Sequence, residues 1–205
     1  MSTVCCATPA DCCLIIELRL NSDGPGSGDG SCVDPRSDHD ESPAKATTGH
    51  NQGDGMKVFG SLDEFVSAAG QELGPTDWLE ITQDRVDLFA EATGDHQWIH
   101  VDPHRAASGP FGGTIAHGLL TLALLPHFMH ELYLVEGITM AINYGLNKVR
   151  FISPVPVGAK VRARAVVGEV SAVGGGAQAI MTTTIEIDGA DKPAAVIESI
   201  IRYVA

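Results

Sequence analysis

One long apolar segment, residues 115–134, constrains the fold of this chain more than any other feature. Its side chains are apolar around nearly the whole circumference of a helix, which is typical of a helix buried on all sides. Three histidines and Glu131 interrupt the segment and Pro126 is expected to kink it, so it does not have the character of a membrane span. It therefore predicts the central buried helix of a globular domain.

Four segments with the character of β-strands follow this helix. They alternate polar and apolar residues or are rich in β-branched ones, Pro/Gly turns separate them, and they cover residues 140–152, 160–171, 177–187 and 194–204. We expect an antiparallel meander of these four strands. A buried helix before such a run predicts an α+β fold in which the sheet wraps around the helix. Because one sheet cannot cover every side of a helix, we also expect a second copy of the chain to cover the rest, giving a homodimer.

Short elements are predicted upstream of the apolar segment. Ser61-Leu-Asp-Glu64 is a capping box, which starts a helix that Gly70 ends. Thr82 caps a second helix over residues 83–92, which Gly94 stops. The remaining predictions are a strand over residues 78–81, a turn or loop from Asp95 to His100, and a short helix that starts at Pro103.

Residues 1–55 differ in composition from the rest of the chain. Residues 21–55 are rich in Gly, Ser, Asp, Pro and Thr and have no apolar periodicity, which is typical of disorder. All five cysteines lie in the first 32 residues, and the absence of C-x-x-C spacing disfavours a zinc site. We expect a folded domain over residues 56–205, preceded by a disordered extension or by residues added through a start codon assigned too early. N-terminal sequencing of the native protein distinguishes these two versions.

The charge of the chain bounds its partners. Residues 56–205 carry 17 Asp and Glu against 10 Lys and Arg, and the whole chain has a net charge of −13. Nucleic acids and anionic membranes need basic surfaces, so neither is an expected partner. The short apolar run at residues 12–20 lacks a preceding basic region and is not a convincing secretory signal, so the cytoplasm is the expected location.

The candidate chemistry lies in two motifs, Thr93-Gly-Asp-His-Gln-Trp-Ile-His100 and Thr114-Ile-Ala-His-Gly-Leu-Leu-Thr121. The first places a carboxylate, Asp95, five residues from an imidazole, His100, beyond a glycine that ends a helix. The second places Gly118 at a helix start, where free backbone N–H groups can meet a developing oxyanion. An acid, a base and an oxyanion donor are what the addition of water to an activated double bond requires. These three residues are therefore the predicted catalytic set.

Other polar residues in apolar surroundings either contact a substrate or make ordinary hydrogen bonds in the core. The predicted substrate-binding residues are His117, Thr121, Asn143 and Gly145. A basic run on the predicted strands is either a solvated strand face or a site for the phosphates of a nucleotide-bearing substrate. Its members are Lys148, Arg150, Lys160, Arg162 and Arg164. Histidines at positions 96, 100 and 104 would share a metal-binding face only on a continuous helix, which Pro103 disfavours, so no metal is expected.

These motifs resemble the MaoC-type dehydratase family, also called (R)-specific enoyl-CoA hydratases or hydratase 2. The letters His-Gln-Trp-Ile-His at residues 96–100 and Ala-Ile-Asn-Tyr-Gly-Leu-Asn-Lys-Val-Arg-Phe at residues 141–151 are similar to its NodN-like branch, which includes a small mycobacterial enoyl-CoA hydratase. The resemblance runs from about Met56 to Ala205 and covers nothing of residues 1–55.

The resemblance implies a hot-dog fold and the hydration of trans-2-enoyl-CoA to (R)-3-hydroxyacyl-CoA. In such an enzyme Asp95 and His100 would activate one water and pass a proton to the α carbon, while Gly118 would stabilise the enolate oxygen. No cofactor or metal is implied, because the thioester itself makes the β carbon electrophilic. Two departures concern the surroundings of the pair: Gln97-Trp98 stands where the commoner motif has Asn-Pro, and Pro126 stands where some relatives have a serine that supports the catalytic Asp.

Two other functions fit the same fold. A hot-dog acyl-CoA thioesterase would share the architecture, so the fold cannot decide between them, and release of free CoA would. A non-catalytic acyl-CoA-binding subunit is a different class of protein, and the Asp95/His100 pair argues against it because a pure binder needs neither group. An (R)-specific enoyl-CoA hydratase, which is a hydro-lyase, is therefore the predicted function, with an acyl-CoA thioester as its substrate.

Overall fold

The computed structural model describes residues 55–205. The prediction of a disordered extension over residues 1–55 falls outside this range except at its last residue. In chain order the elements are β1 (Lys57–Phe59), α1 (Leu62–Val66), β2 (Glu72–Leu73), β3 (Leu79–Glu80), α2 (Gln83–Thr93), α3 (Trp98–Val101), α4 (Pro103–Ala107), α5 (Gly118–Ala123), α6 (Leu125–Leu132), β4 (Tyr133–Val135), β5 (Met140–Phe151), β6 (Lys160–Val173), β7 (Gly176–Ile187) and β8 (Ala195–Val204). Among the described residues, no helix is both long and apolar enough to cross a membrane.

An antiparallel sheet packed against helices confirms the predicted α+β class. Its strands are ordered β2-β6-β7-β8-β5, and β3 also pairs with β6. Along β7 every second residue is buried, as the alternating sequence predicts. The buried face of the sheet packs on α5 and α6, whose Phe128 is fully enclosed. The sheet and the central helix together make the hot-dog arrangement.

The predicted four-strand meander is correct for β6, β7 and β8 and wrong for β5. β5 pairs with β8, so it lies on the far side of the sheet from β6, its neighbour in sequence. The connection between them contains Pro154 and Pro156, which lack the N–H groups that a tight hairpin would use. The connection is instead bound by the segment before α5, where the Ala116 N–H donates to the carbonyl of Val155 (2.8 Å).

The predicted central helix over residues 115–134 is shorter and is interrupted. It begins at Gly118, breaks at Leu124, and continues as α6, in whose first turn Pro126 lies. Pro126 therefore interrupts the helix as expected, at a position where its missing N–H is tolerated. The segment beyond Leu132 is strand β4, which pairs in parallel with β1, so a tertiary partner overrides the helical pattern there.

The predicted caps at Ser61, Thr82 and Gly94 are confirmed, whereas the first helix ends at Val66, before the Gly70 that the sequence predicts. The Ser61 hydroxyl accepts the N–H of Glu64 (3.1 Å), and the Thr82 hydroxyl accepts the N–H of Arg85 (3.3 Å). Gly94 ends α2 in the left-handed conformation, with φ of 75°. Pro103 starts α4, and the strand predicted over residues 78–81 is observed as the shorter β3. These caps fix where α2 ends and therefore where the loop that carries Asp95 begins.

Candidate active site

His100 lies on the short helix α3 rather than in the loop that the sequence predicts. Two contacts hold α3 in place: the Gln83 side-chain amide donates to the carbonyl of His100 (2.7 Å), and the Ile115 N–H donates to the carbonyl of Ile99 (3.0 Å). The first contact joins α3 to the start of α2, and the second joins it to the segment before α5. His100 is thereby fixed between two parts of the chain that are distant in sequence.

The imidazole of His100 is 6% exposed, and its tautomer is set by one main-chain contact. Its Nδ1 lies 2.7 Å from the carbonyl oxygen of Ile115. A carbonyl oxygen can only accept, so Nδ1 carries the hydrogen and Nε2 keeps a lone pair. The contact therefore leaves Nε2 as the nitrogen of His100 that is available to a reactant.

Asp95 is exposed, in the loop that follows the left-handed Gly94. Its carboxylate accepts a long hydrogen bond from the N–H of Gln97 (3.4 Å). One ligand-type atom each from Asp95, His100 and His117 lie within 4.8 Å of one another. The structure thus brings the predicted acid–base pair together, with one group open to solvent and the other enclosed.

His117 completes this cluster from the residue that precedes α5. Its ring is 3% exposed and stacks on the ring of His100, with centroids 3.8 Å apart and planes 26° from parallel. Its Nε2 lies 2.9 Å from the main-chain carbonyl oxygen of Asp95, so Nε2 carries the hydrogen and Nδ1 a lone pair. Nδ1 is buried and has no hydrogen-bond partner among the described residues.

The cluster of one carboxylate and two imidazoles is a donor set that Zn²⁺ accepts. It differs from the histidine set at 96, 100 and 104 that the sequence suggested: His96 is exposed and lies 3.8 Å from Glu91. The Nε2–H of His117 donates to the Asp95 carbonyl, and the lone pair of His117 lies on the buried Nδ1.

Gly118 begins α5, so its N–H belongs to the first turn and lacks an acceptor within the helix. A Cβ at this position would lie 3.2–3.3 Å from ring atoms of Phe151, at the end of β5. The absence of a side chain is thus explained by the close approach of the Phe151 ring. That ring is half-exposed and forms a wall beside the start of the helix.

The remaining predicted substrate-binding residues occupy two environments. Thr121 is buried, and its hydroxyl lies 3.4 Å from the carbonyl of His117, a long hydrogen bond within the helix. Asn143 and Gly145 are on β5, where they line a cavity of about 320 Å³ beside Leu122 and Pro126.

The sequence gives no signal for one residue of the site, Gln83. Its amide oxygen accepts the hydroxyl of Thr114 (2.7 Å), and its amide nitrogen also donates to Asp87 (2.8 Å) as well as to the His100 carbonyl. A glutamine in the first turn of a helix is an ordinary residue by pattern. Only the folded chain shows that this one ties α2, α3 and the segment before α5 together.

Two features that the sequence left open are now defined. Trp98 packs between the Arg105 guanidinium, 4.5 Å from a ring centroid, and Gly109, where a Cβ would approach the indole to 3.0 Å. In the basic run, Arg162 and Arg164 both pair with Glu186, at 2.6 and 3.2 Å. These two arginines therefore belong to a solvated strand face with cross-strand ion pairs.

Comparison with known proteins identifies the family. A family model for the MaoC like domain matches residues 64–190. The chain is 59% identical over 151 residues to 3-hydroxyacyl-thioester dehydratase Z of Mycobacterium tuberculosis, covering 73% of this chain and 100% of that protein. It is 48% identical over 139 residues to nodulation protein N of Rhizobium leguminosarum, covering 65% of this chain and 85% of that protein.

A solved structure supports the same assignment. The R-hydratase PhaJ1 from Pseudomonas aeruginosa, in its unliganded form, superposes with a TM-score of 0.55 at 26% identity, covering 66% of this chain and 81% of that one. The hot-dog fold and the enzyme class predicted from the sequence, a hydro-lyase, are thereby confirmed. The chain belongs to the MaoC-like dehydratase family.

Proposed function

We propose that this protein is an (R)-specific enoyl-CoA hydratase, which adds water to trans-2-enoyl-CoA to give (R)-3-hydroxyacyl-CoA. Hydration and dehydration are the two directions of one equilibrium, so the name of the 59%-identical relative, a 3-hydroxyacyl-thioester dehydratase, describes the same chemistry in reverse. The observation that carries the proposal is the convergence of the Asp95 carboxylate and the His100 imidazole within 4.8 Å.

The fixed tautomer of His100 supports a division of labour within the pair. Because Nδ1 donates to the Ile115 carbonyl, Nε2 is the nitrogen free to take a proton from water. Asp95, exposed beside it, is suited to accept a hydrogen bond from the second hydrogen of that water, which stays on the oxygen, and so to orient the water. The water oxygen bonds to the β carbon, the π electrons move onto the thioester oxygen, and the proton taken from water passes to the α carbon. His100 then returns to its starting protonation state, and Asp95 stays ionised throughout.

The enolate oxygen formed in the first step needs a hydrogen-bond donor. The N–H of Gly118 fits this role, because it lies at the start of α5 and one residue from His117 in the cluster. The half-exposed Phe151 ring beside Gly118 would shield the thioester from bulk water. Asn143 and Gly145 would then contact the acyl chain in the cavity beside β5.

A homodimer is the second part of the proposal. Four large apolar side chains on β5 remain about half-exposed: Met140, Ile142, Tyr144 and Leu146. Within residues 55–205, β5 pairs only with β8, so its other edge offers unpaired backbone groups. An apolar strand with a free edge fits pairing with the same strand of a second copy about a two-fold axis. The cytoplasm stays the expected location, which cell fractionation would test.

Sedimentation of the full chain tests the dimer. We expect a mass of twice 21.5 kDa for the native protein and a shift toward monomer for Ile142→Lys. Leu88→Lys is the matched control, because Leu88 is exposed on α2, away from β5, and the same charge there should leave the dimer intact. A monomeric native protein, or equal sedimentation of the two variants, would contradict the proposal.

Turnover of crotonyl-CoA by the full chain tests the reaction. We expect the absorbance of the conjugated enoyl thioester to fall and chiral chromatography to identify (R)-3-hydroxybutyryl-CoA. A thiol reagent in the same assay detects free CoA, whose release without hydration would make the protein a thioesterase instead. Binding of enoyl-CoAs of several chain lengths with neither reaction would make it a binding subunit.

A further inference from the structure

The buried imidazole of His117 contacts both members of the proposed acid–base pair without pointing at the solvent. Its Nε2–H donates to the main-chain carbonyl of Asp95, and its ring stacks on the side chain of His100. The Phe89 ring lies 5.1 Å from the imidazole as well. His117 is thus enclosed by protein, with 3% of its surface exposed.

The unpaired nitrogen of His117 indicates that this histidine is not there for stability. Its Nδ1 is buried with no partner among the described residues, and burying an unsatisfied acceptor costs free energy. A phenylalanine would fill the same space and stack on His100 without that cost. What phenylalanine would lack is the Nε2–H that holds the Asp95 carbonyl.

The Asp95 carbonyl is the point at which the exposed loop is attached to the buried part of the site. Asp95 follows the left-handed Gly94 and its side chain has only a long contact, at 3.4 Å, to the Gln97 N–H. The 2.9 Å bond from His117 therefore fixes the backbone from which the carboxylate projects. The same imidazole, through its stacked ring, supports one face of His100.

We propose that His117 is a positioning residue, which sets the distance between the Asp95 carboxylate and the His100 imidazole through one hydrogen bond and one ring stack. The inference rests on the proposed hydratase function and goes beyond it, because it gives His117 a role other than contact with the substrate. A misplacement of about 1 Å in a reacting group can cost about 10²-fold in rate. Loss of the Nε2–H should therefore lower kcat and leave KM nearly unchanged.

Two variants of the full chain separate positioning from structure. His117→Phe keeps the stack and removes both the donor and the unpaired Nδ1, so we expect kcat to fall about 10- to 100-fold while the melting temperature stays level or rises. His117→Gln keeps an amide N–H that can reach the Asp95 carbonyl, so it should recover part of the lost kcat. His127→Phe and His127→Gln are matched controls on the exposed face of α6 and should change neither parameter.

The possible outcomes are distinct. An increase in KM with kcat unchanged would make His117 a substrate contact, and unchanged kinetics in His117→Phe would remove it from the site; either result overturns the inference. A fall in melting temperature and activity in both variants, with no recovery in His117→Gln, would make the role structural and overturn it too. Turnover by the wild type tests the proposed function separately from the role of His117. If the native protein hydrates no enoyl-CoA, it is the proposed function that is wrong.

Discussion

Two buried pairs of polar rings, one before α5 and one after α6, have opposite hydrogen-bonding arrangements. The hydroxyls of Tyr133 and Tyr203 are hydrogen-bonded to each other, with their oxygens 2.6 Å apart. Burial raises the pKa of both phenols. His100 and His117 are stacked at 3.8 Å and each bonds a main-chain carbonyl, which leaves one lone pair on each ring. The tyrosine pair is closed and the histidine pair is open.

The difference separates stability from chemistry. In the tyrosine pair each buried oxygen has a hydrogen-bond partner inside the protein, so the pair needs no reactant to satisfy it. An open pair keeps a basic nitrogen near a carboxylate, at the cost of an unsatisfied atom inside the fold. Substitutions in the His100–His117 pair should therefore lower turnover, whereas substitutions in the Tyr133–Tyr203 pair should lower the free energy of unfolding.

Removing either member of the acid–base pair should have the largest effect. Asp95→Asn and His100→Asn should each lower kcat by about 10²–10⁴-fold, the usual contribution of one positioned acid–base group. The asparagine at position 100 can still donate to the Ile115 carbonyl, so the melting temperature should stay close to that of the wild type. Turnover of crotonyl-CoA and thermal unfolding measure the two quantities.

His96→Asn is the control for this experiment. His96 is a neighbouring, exposed histidine whose ring faces Glu91 rather than the cluster, and its loss should leave kcat within twofold or so of the wild type. Near-normal turnover by Asp95→Asn or His100→Asn would remove that residue from the mechanism and, with it, the contrast between the two ring pairs.

Crowding the start of α5 should have the next largest effect. Gly118→Ala places a methyl group 3.2–3.3 Å from the Phe151 ring, so the ring or the helix start must shift by a few tenths of an ångström. We expect kcat to fall about tenfold, since larger displacements of about 1 Å cost about 10²-fold. Gly113→Ala is the control, because a Cβ there meets no atom within 4 Å. A second substitution, Phe151→Leu, should restore part of the rate; no recovery would show that the ring is not the cause.

Local patterns predicted the elements that depend on local physics. The Ser61 and Thr82 caps, the left-handed Gly94 and the interruption at Pro126 follow from backbone rules that act over a few residues. The alternation along β7 and β8 follows from having one face buried. The MaoC-like motif also placed Asp95 and His100 together, because both sit in one short segment.

Contacts between distant segments could not be predicted in this way. The position of β5 beside β8, the short β1–β4 pair, and the Gln83 bond to the His100 carbonyl all join residues far apart in sequence. The sequence predicts His117 as a substrate-binding residue, and its bond to the Asp95 carbonyl, which spans 22 positions, has no local pattern to reveal it. The periodicity of a sequence predicts which face of a helix or strand is buried, but not which other element packs against that face.

Breaking the closed pair should cost stability and not activity. Tyr203→Phe leaves the Tyr133 hydroxyl buried without its partner, so the free energy of unfolding should fall by about 1–3 kcal/mol while kcat is unchanged. Urea denaturation and the crotonyl-CoA assay measure these separately. His117→Phe is the informative comparison, because the same kind of change at the open pair is expected to lower kcat and spare stability. A large loss of turnover in Tyr203→Phe would contradict the proposed difference between the tyrosine pair and the histidine pair.

Replacing both tyrosines should have the smallest effect of all. In Tyr133→Phe/Tyr203→Phe no hydroxyl is left unpaired, so the free energy of unfolding at neutral pH should lie within about 1 kcal/mol of the wild type. The variant also has a pH signature. In the wild type the phenols stay neutral when folded but ionise in the unfolded chain above about pH 10, so their contribution is complete below that pH and is lost as the pH rises through the higher folded pKa. The free energy of unfolding of the double variant should therefore fall less than that of the wild type between neutral and strongly alkaline pH. Equal falls would show that the buried hydroxyl pair does not control unfolding at alkaline pH.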